Sequence, residues 1–198
     1  MNVPSFEIGK DNWAKVVREF AESLDKAYFA EFQTVTAGQI ADVETKVNRQ
    51  LPEDYKTFLL EFGAGSFTEE VGGGGFYTPE ELCIEPSCAI YFFTGTAGEV
   101  SDEIHERFYR SYGKDNGAPD VFTTERITHD GVNLLDMFQI GSNGACCYHA
   151  LHVGPEPKPF GYALMSDCHD FEDQAATFSE GLAGILEQHW EYVNEVWE

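Results

Sequence analysis

The apolar positions of this chain recur with a helical period in the first half and at both ends, and with an extended period between residues 121 and 165. Between residues 10 and 32, Trp13, Val16, Val17, Phe20 and Leu24 form a stripe at helical spacing, with Asp11 or Asn12 placed to cap it. Ile40, Val43 and Val47 mark one face of a helix over 38–48. Pro52 cannot continue that helix but suits the first position of the next, over 52–62. There Glu53 and Asp54 favour the helix dipole, Tyr55, Phe58, Leu59 and Phe62 form the apolar face, and Gly63 is a left-handed stop. A charged amphipathic helix is expected over 98–112, through Val100, Ile104, Phe108 and Tyr112. A closing helix is expected over 171–197, packed through Phe178, Leu182, Ile185 and Leu186 and extended by Trp190, Val193 and Trp197.

Strands are expected at 89–93, 121–124, 134–140, 145–153 and 160–165. The turn signal Gly141-Ser142-Asn143-Gly144 joins the third to the fourth. Residues 63–75 read as a glycine-rich loop or hairpin turn, and Phe76-Tyr77 as a short strand running into a turn or helix started by Pro79. These elements predict an α+β fold: N-terminal helices, a mostly antiparallel central sheet and a C-terminal helix packed on it.

The stretch from Ala41 to Gly65, a short helix, a Leu51-Pro52 hinge, a second amphipathic helix and a glycine stop, resembles the opening motif of the SUKH superfamily. That group comprises fungal cell-wall-assembly regulators and bacterial toxin-immunity proteins. The aromatic Phe76-Tyr77 followed by Glu81-Leu82 is similar to the next family feature. The strands over 134–165, the acidic loop 166–170 and the closing helix with Phe171 and Phe178 resemble its later part. The chain departs from the family in carrying Gly63-Ala64-Gly65 where Asn-Gly-Gly is usual. The resemblance covers about 38–190, which leaves one domain over 1–198 with an N-terminal helical extension at 1–37 and an insertion near 97–119. It implies a non-enzymatic protein-binding module, either an intracellular immunity protein or a regulatory scaffold for an endogenous partner.

Composition fits one domain. The chain has 198 residues, 42% hydrophobic and 14% aromatic, enough for a substantial core. No apolar run approaches the length of a membrane span, and Met1 to Glu7 has no signal-peptide pattern. Five cysteines (Cys83, Cys88, Cys146, Cys147 and Cys168), an odd number, suggest a reduced, cytoplasmic protein. The charge changes the picture most: 35 acidic against 12 basic residues give −23. That field repels nucleic acid and anionic membranes and steers basic partners inward. With the resemblance, it points to a basic toxin domain of nuclease or deaminase type as the partner.

The candidate chemistry is sparse. The run Gly72 to Gly75 lacks the Lys-Ser/Thr of a phosphate loop and follows Glu69 and Glu70, which would repel a phosphate. Cys146, Cys147, His149 and His152 would split between two faces of a strand, against a convergent zinc site. Cys168 with His149 or His169 could form a nucleophile and base, but Asp167 and Asp170 raise the thiol pKa. The carboxylates of that loop lack the spacing of an EF-hand. No cofactor, metal or catalytic residue is therefore assigned. The preferred candidate is a partner-binding surface of Glu69, Glu70, Glu80, Glu81 and Glu85 interleaved with Phe67, Phe76 and Tyr77.

Overall fold

The computed structural model describes residues 8–9, 11–24, 28–47, 49–84, 128–129, 132–133, 136–144, 147–165 and 171–194. The helix and strands expected at 98–112, 89–93 and 121–124, and the insertion near 97–119, lie outside the described residues. Five helices are seen: α1 (Trp13–Ser23), α2 (Ala37–Val47), α3 (Glu53–Glu61), α4 (Pro79–Ile84) and α5 (Phe178–Val193). The strands are β1 (Gly65–Ser66), β2 (Gly75–Phe76), β3 (Thr128–His129), β4 (Val132–Asn133), β5 (Met137–Ser142), β6 (Tyr148–His152), β7 (Tyr162–Met165) and β8 (Phe171–Ala175). Six of them form an antiparallel sheet in the order β1-β2-β5-β6-β7-β8, and β3 pairs with β4 separately. The fold is α+β, as expected.

The hairpin of α2 and α3 shows why the opening motif folds as it does. Pro52 stands just before α3 with an extended backbone (φ −57, ψ 142), rather than at the first helical position. In that place its missing N–H costs nothing. Glu44 on α2 accepts the Leu51 N–H at 2.8 Å and pairs with Lys56 of α3, which also reaches Glu53. The helix stops at Gly63, whose φ of 89° is the left-handed value the stop requires.

Three boundaries differ from the sequence reading. The first helix ends at Ser23, whose hydroxyl turns back to the Phe20 carbonyl, instead of running to 32. Residues 28–31 are turns that drop Tyr28 into the core. Gly141 and Ser142, expected as a turn, extend β5, because they pair with Phe76 and Gly75 of β2. Residues 171–175 are the edge strand β8, not the start of the closing helix. That helix begins at Phe178, where the Thr177 hydroxyl accepts the Glu180 N–H and Glu180 accepts the Ala176 N–H.

The core lies between one sheet face and the helices. Phe138, Ile140, Leu151 and Tyr162 project from the sheet; Tyr55, Phe58 and Leu59 come from α3, and Leu182, Ile185 and Leu186 from α5. Phe178 is the hub, with ring centroids 4.9 Å from Tyr55, 5.4 Å from Phe58 and 5.7 Å from Phe76. Such edge-to-face pairs add about 0.5–1.5 kcal/mol each beyond burial. Trp13 of α1 joins the same cluster against Phe58 and Phe62.

Candidate functional site

The glycine-rich segment folds as a hairpin rather than an open loop. β1 and β2 pair at its base. Between them Glu69–Val71 makes one 3-10 turn, fixed from below by the buried Val71 side chain. The Gly72 and Gly73 N–H groups donate to the Glu69 and Thr68 carbonyls, and Phe67 N–H donates to the Gly74 carbonyl. Gly72, Gly73, Gly74 and Gly75 all have positive φ, which only glycine adopts freely in succession. Their surroundings differ sharply. A Cβ on Gly75 would lie 2.2 Å from the Gly65 carbonyl oxygen, whereas one on Gly73 would meet nothing within 4 Å.

That hairpin walls a groove of about 720 Å³, which Tyr77, Thr78, Ser142, Glu31, Gln33 and Tyr192 also line. Glu31, Glu69 and Glu81 line it, and among the described residues no Lys or Arg does. The sequence fits this bias: no Lys or Arg occurs between Lys56 and Arg107 or after Lys158. A second groove of about 880 Å³, between α2 and the β6–β7 connection, carries mixed charge, with Arg49 beside Glu44 and Asp136.

The expected partner-binding residues are placed unequally. Glu69, Glu70, Glu80 and Glu81 are exposed around the hairpin. Glu81 has a second task, because its carboxylate accepts the Thr78 N–H and hydroxyl and so caps α4. Tyr77 is half-buried and receives a hydrogen bond from Gln139 Nε2 at 2.9 Å. Phe76 is a correction. It is only 2% exposed, packed on Phe58, Phe178 and His149, and cannot serve as a surface anchor. Phe67 is buried likewise. Glu85 lies outside the described residues. Sequence reasoning missed Glu31 and Tyr192, which reach the groove from distant segments; Tyr192 is 40% exposed.

Two buried tyrosine–histidine pairs underlie this region. Tyr28 Oη lies 2.5 Å from His189 Nδ1, and Tyr162 Oη 2.7 Å from His149 Nδ1. Burial pushes His189 down to about 4. Burial, then repulsion from His189, pushes His149 down to about 3. Burial raises all three tyrosines Tyr28, Tyr55 and Tyr162. Both imidazoles are therefore neutral near pH 7.

His149 and His152 sit on opposite faces of β6, one against Phe76 and Tyr162, the other against Phe160. Cys147 is half-buried; Cys146, Cys168 and His169 lie outside the described residues. The Nδ1 of His149 is engaged by Tyr162, and the expected Cys168 pairing lies outside the described residues. Among the described residues no three His, Cys, Asp or Glu side chains gather as metal ligands, and no helix is long and apolar enough to cross a membrane.

Residues 34–184 match the family model described as SMI1 / KNR4 family (SUKH-1). No curated protein matches the chain.

Proposed function

The chain belongs to the SMI1 / KNR4 family (SUKH-1), and on that premise we propose that it is a non-enzymatic protein-binding module acting as a cytoplasmic immunity protein. It neutralises a basic toxin domain of nuclease or deaminase type by occlusion, covering the toxin's basic substrate site with its own acidic face. One observation carries this reading. The 720 Å³ groove is lined by Glu31, Glu69 and Glu81, flanked by exposed Glu70 and Glu80, and has no Lys or Arg among its described lining residues. A net charge of −23 adds long-range attraction that speeds capture at low salt and weakens as salt rises.

The test is affinity capture of the native partner at low and high salt, with wild type and with a Glu69→Lys, Glu70→Lys, Glu80→Lys triple variant. Glu81 is left in place in that variant, because reversing it would also uncap α4. The expected result is a stoichiometric basic protein with toxin activity, released by salt and lost in the variant. Capture of a housekeeping protein instead would make the chain a regulatory scaffold, and a partner retained by the variant would remove this face from the mechanism.

A further inference from the structure

We propose that the groove takes an arginine side chain of the partner, with Tyr192 as its stacking platform and the groove carboxylates as its counter-charges. This rests on the reading that the acidic face binds a basic protein, and adds which residue is taken and where.

Tyr192 is the first observation. It lies near the end of α5, where its side chain rests on the hairpin: a Cβ on Gly72 would be 3.5 Å from Tyr192 Cγ. It nevertheless keeps 40% exposure within the groove. Among the described residues the other large hydrophobic side chain left so open is Leu60, which does not line the groove. A supported aromatic ring open to a cavity is the geometry of an interface anchor. Charge is the second observation. Glu31, Glu69 and Glu81 come from three separate segments to the same cavity as that ring. A guanidinium satisfies both features at once, since it stacks on an aromatic face and forms paired hydrogen bonds with a carboxylate. A lysine ammonium is compact and strongly hydrated, and gains less from the ring. Space is the third observation. The wall at Gly73 has nothing within 4 Å of a Cβ position, and Gly65 and Ser66 of the edge strand β1 line the same cavity. An arginine side chain can enter over the open wall at Gly73.

The probe is a short Arg-Gly peptide, with a Lys-Gly peptide of equal length and charge as control. Each is titrated into the isotopically labelled full chain and followed by amide shifts. Shifts should move at Gly72 to Gly75 and around Tyr192, with the arginine peptide binding tighter than the lysine peptide. Tyr192→Leu should weaken the arginine peptide about 2- to 30-fold, the range of a cation–π contact, and erase the preference, while Tyr192→Phe keeps both. Gly73→Asn, a residue that tolerates left-handed backbone, should fold and reduce binding by filling the open wall. Equal affinity for the two peptides, unchanged binding by Tyr192→Leu, or shifts confined to another face would overturn the assignment. If the native partner is captured equally by Tyr192→Leu, the arginine site falls and the neutraliser reading stands. If the peptide binds as expected but no basic partner is captured, the arginine site stands and the neutraliser reading falls.

Discussion

The hairpin from Gly65 to Phe76 has two sides built under different demands. Toward the core it sends Phe67, Val71 and Phe76, all buried and tied into the aromatic cluster with Phe58, Phe178 and His189. Toward the groove it presents Glu69, Glu70 and the open wall at Gly73. Packing accounts for every residue on the first side. The aromatic packing does not use the charges on the second, and like charges crowded together oppose folding. Residues that stability does not require are where a binding function can be sought.

The comparison breaks if the two sides respond alike to substitution. Phe58→Ala, at the centre of the buried side, should cost about 3–5 kcal/mol in denaturant unfolding. A loss below about 1 kcal/mol would mean that the aromatic cluster is not the core.

Acidification should separate the sides next. His149 and His189 titrate at about 3 and about 4 in the folded chain, against about 6.5 when unfolded. The unfolded state therefore binds protons first. The stability these two groups provide is complete well above pH 6.5 and declines as pH falls through 6.5 toward their folded values. Together they should remove about 3 kcal/mol between pH 7.5 and 5.5. Because acid also relieves carboxylate repulsion, the measurement is a difference: His189→Asn should flatten the pH slope of stability by about half relative to wild type. An unchanged slope would show that His189 is not buried neutral.

Smaller still, Thr177→Ala removes the hydroxyl that caps α5 and should cost about 1 kcal/mol. On the groove side, Glu69→Lys with Glu70→Lys should leave thermal stability within about 0.5 kcal/mol of wild type. A clear loss of stability there would make those carboxylates structural and dissolve the contrast.

How much of this was legible in the sequence follows from the range of the forces involved. The α2–α3 hairpin was readable because Pro52, the first-turn acids and Gly63 act within a few residues of themselves. The central strands were readable because β5, β6 and β7 are mostly apolar and bounded by turn residues. β8 was not. Phe171-Glu172-Asp173-Gln174-Ala175 is polar at its centre, with Asp173 at a φ of 44°, and is a strand because β7 offers it an edge. The glutamates of the candidate surface could be picked out because four of them adjoin the glycine run. Phe76 was misjudged, since aromatic neighbours of an acidic loop look the same whether they face in or out. Glu31 and Tyr192 gave no local signal, because only the folded chain brings the two together at the groove.

The bond from the Ser179 N–H to Asp54 Oδ2, 2.8 Å long, spans 125 residues of sequence. Through it the α3 hairpin helps to cap the last helix, and Phe178 fills the centre of the aromatic cluster from the same turn. During synthesis the opening motif leaves the ribosome long before the segment that completes it. For all that time Tyr55, Phe58 and Phe76 lack their principal neighbour, a state prone to association with other chains. The chain thus completes its core late in its own translation, and the interval is set by a contact between two ends of the fold rather than by the groove.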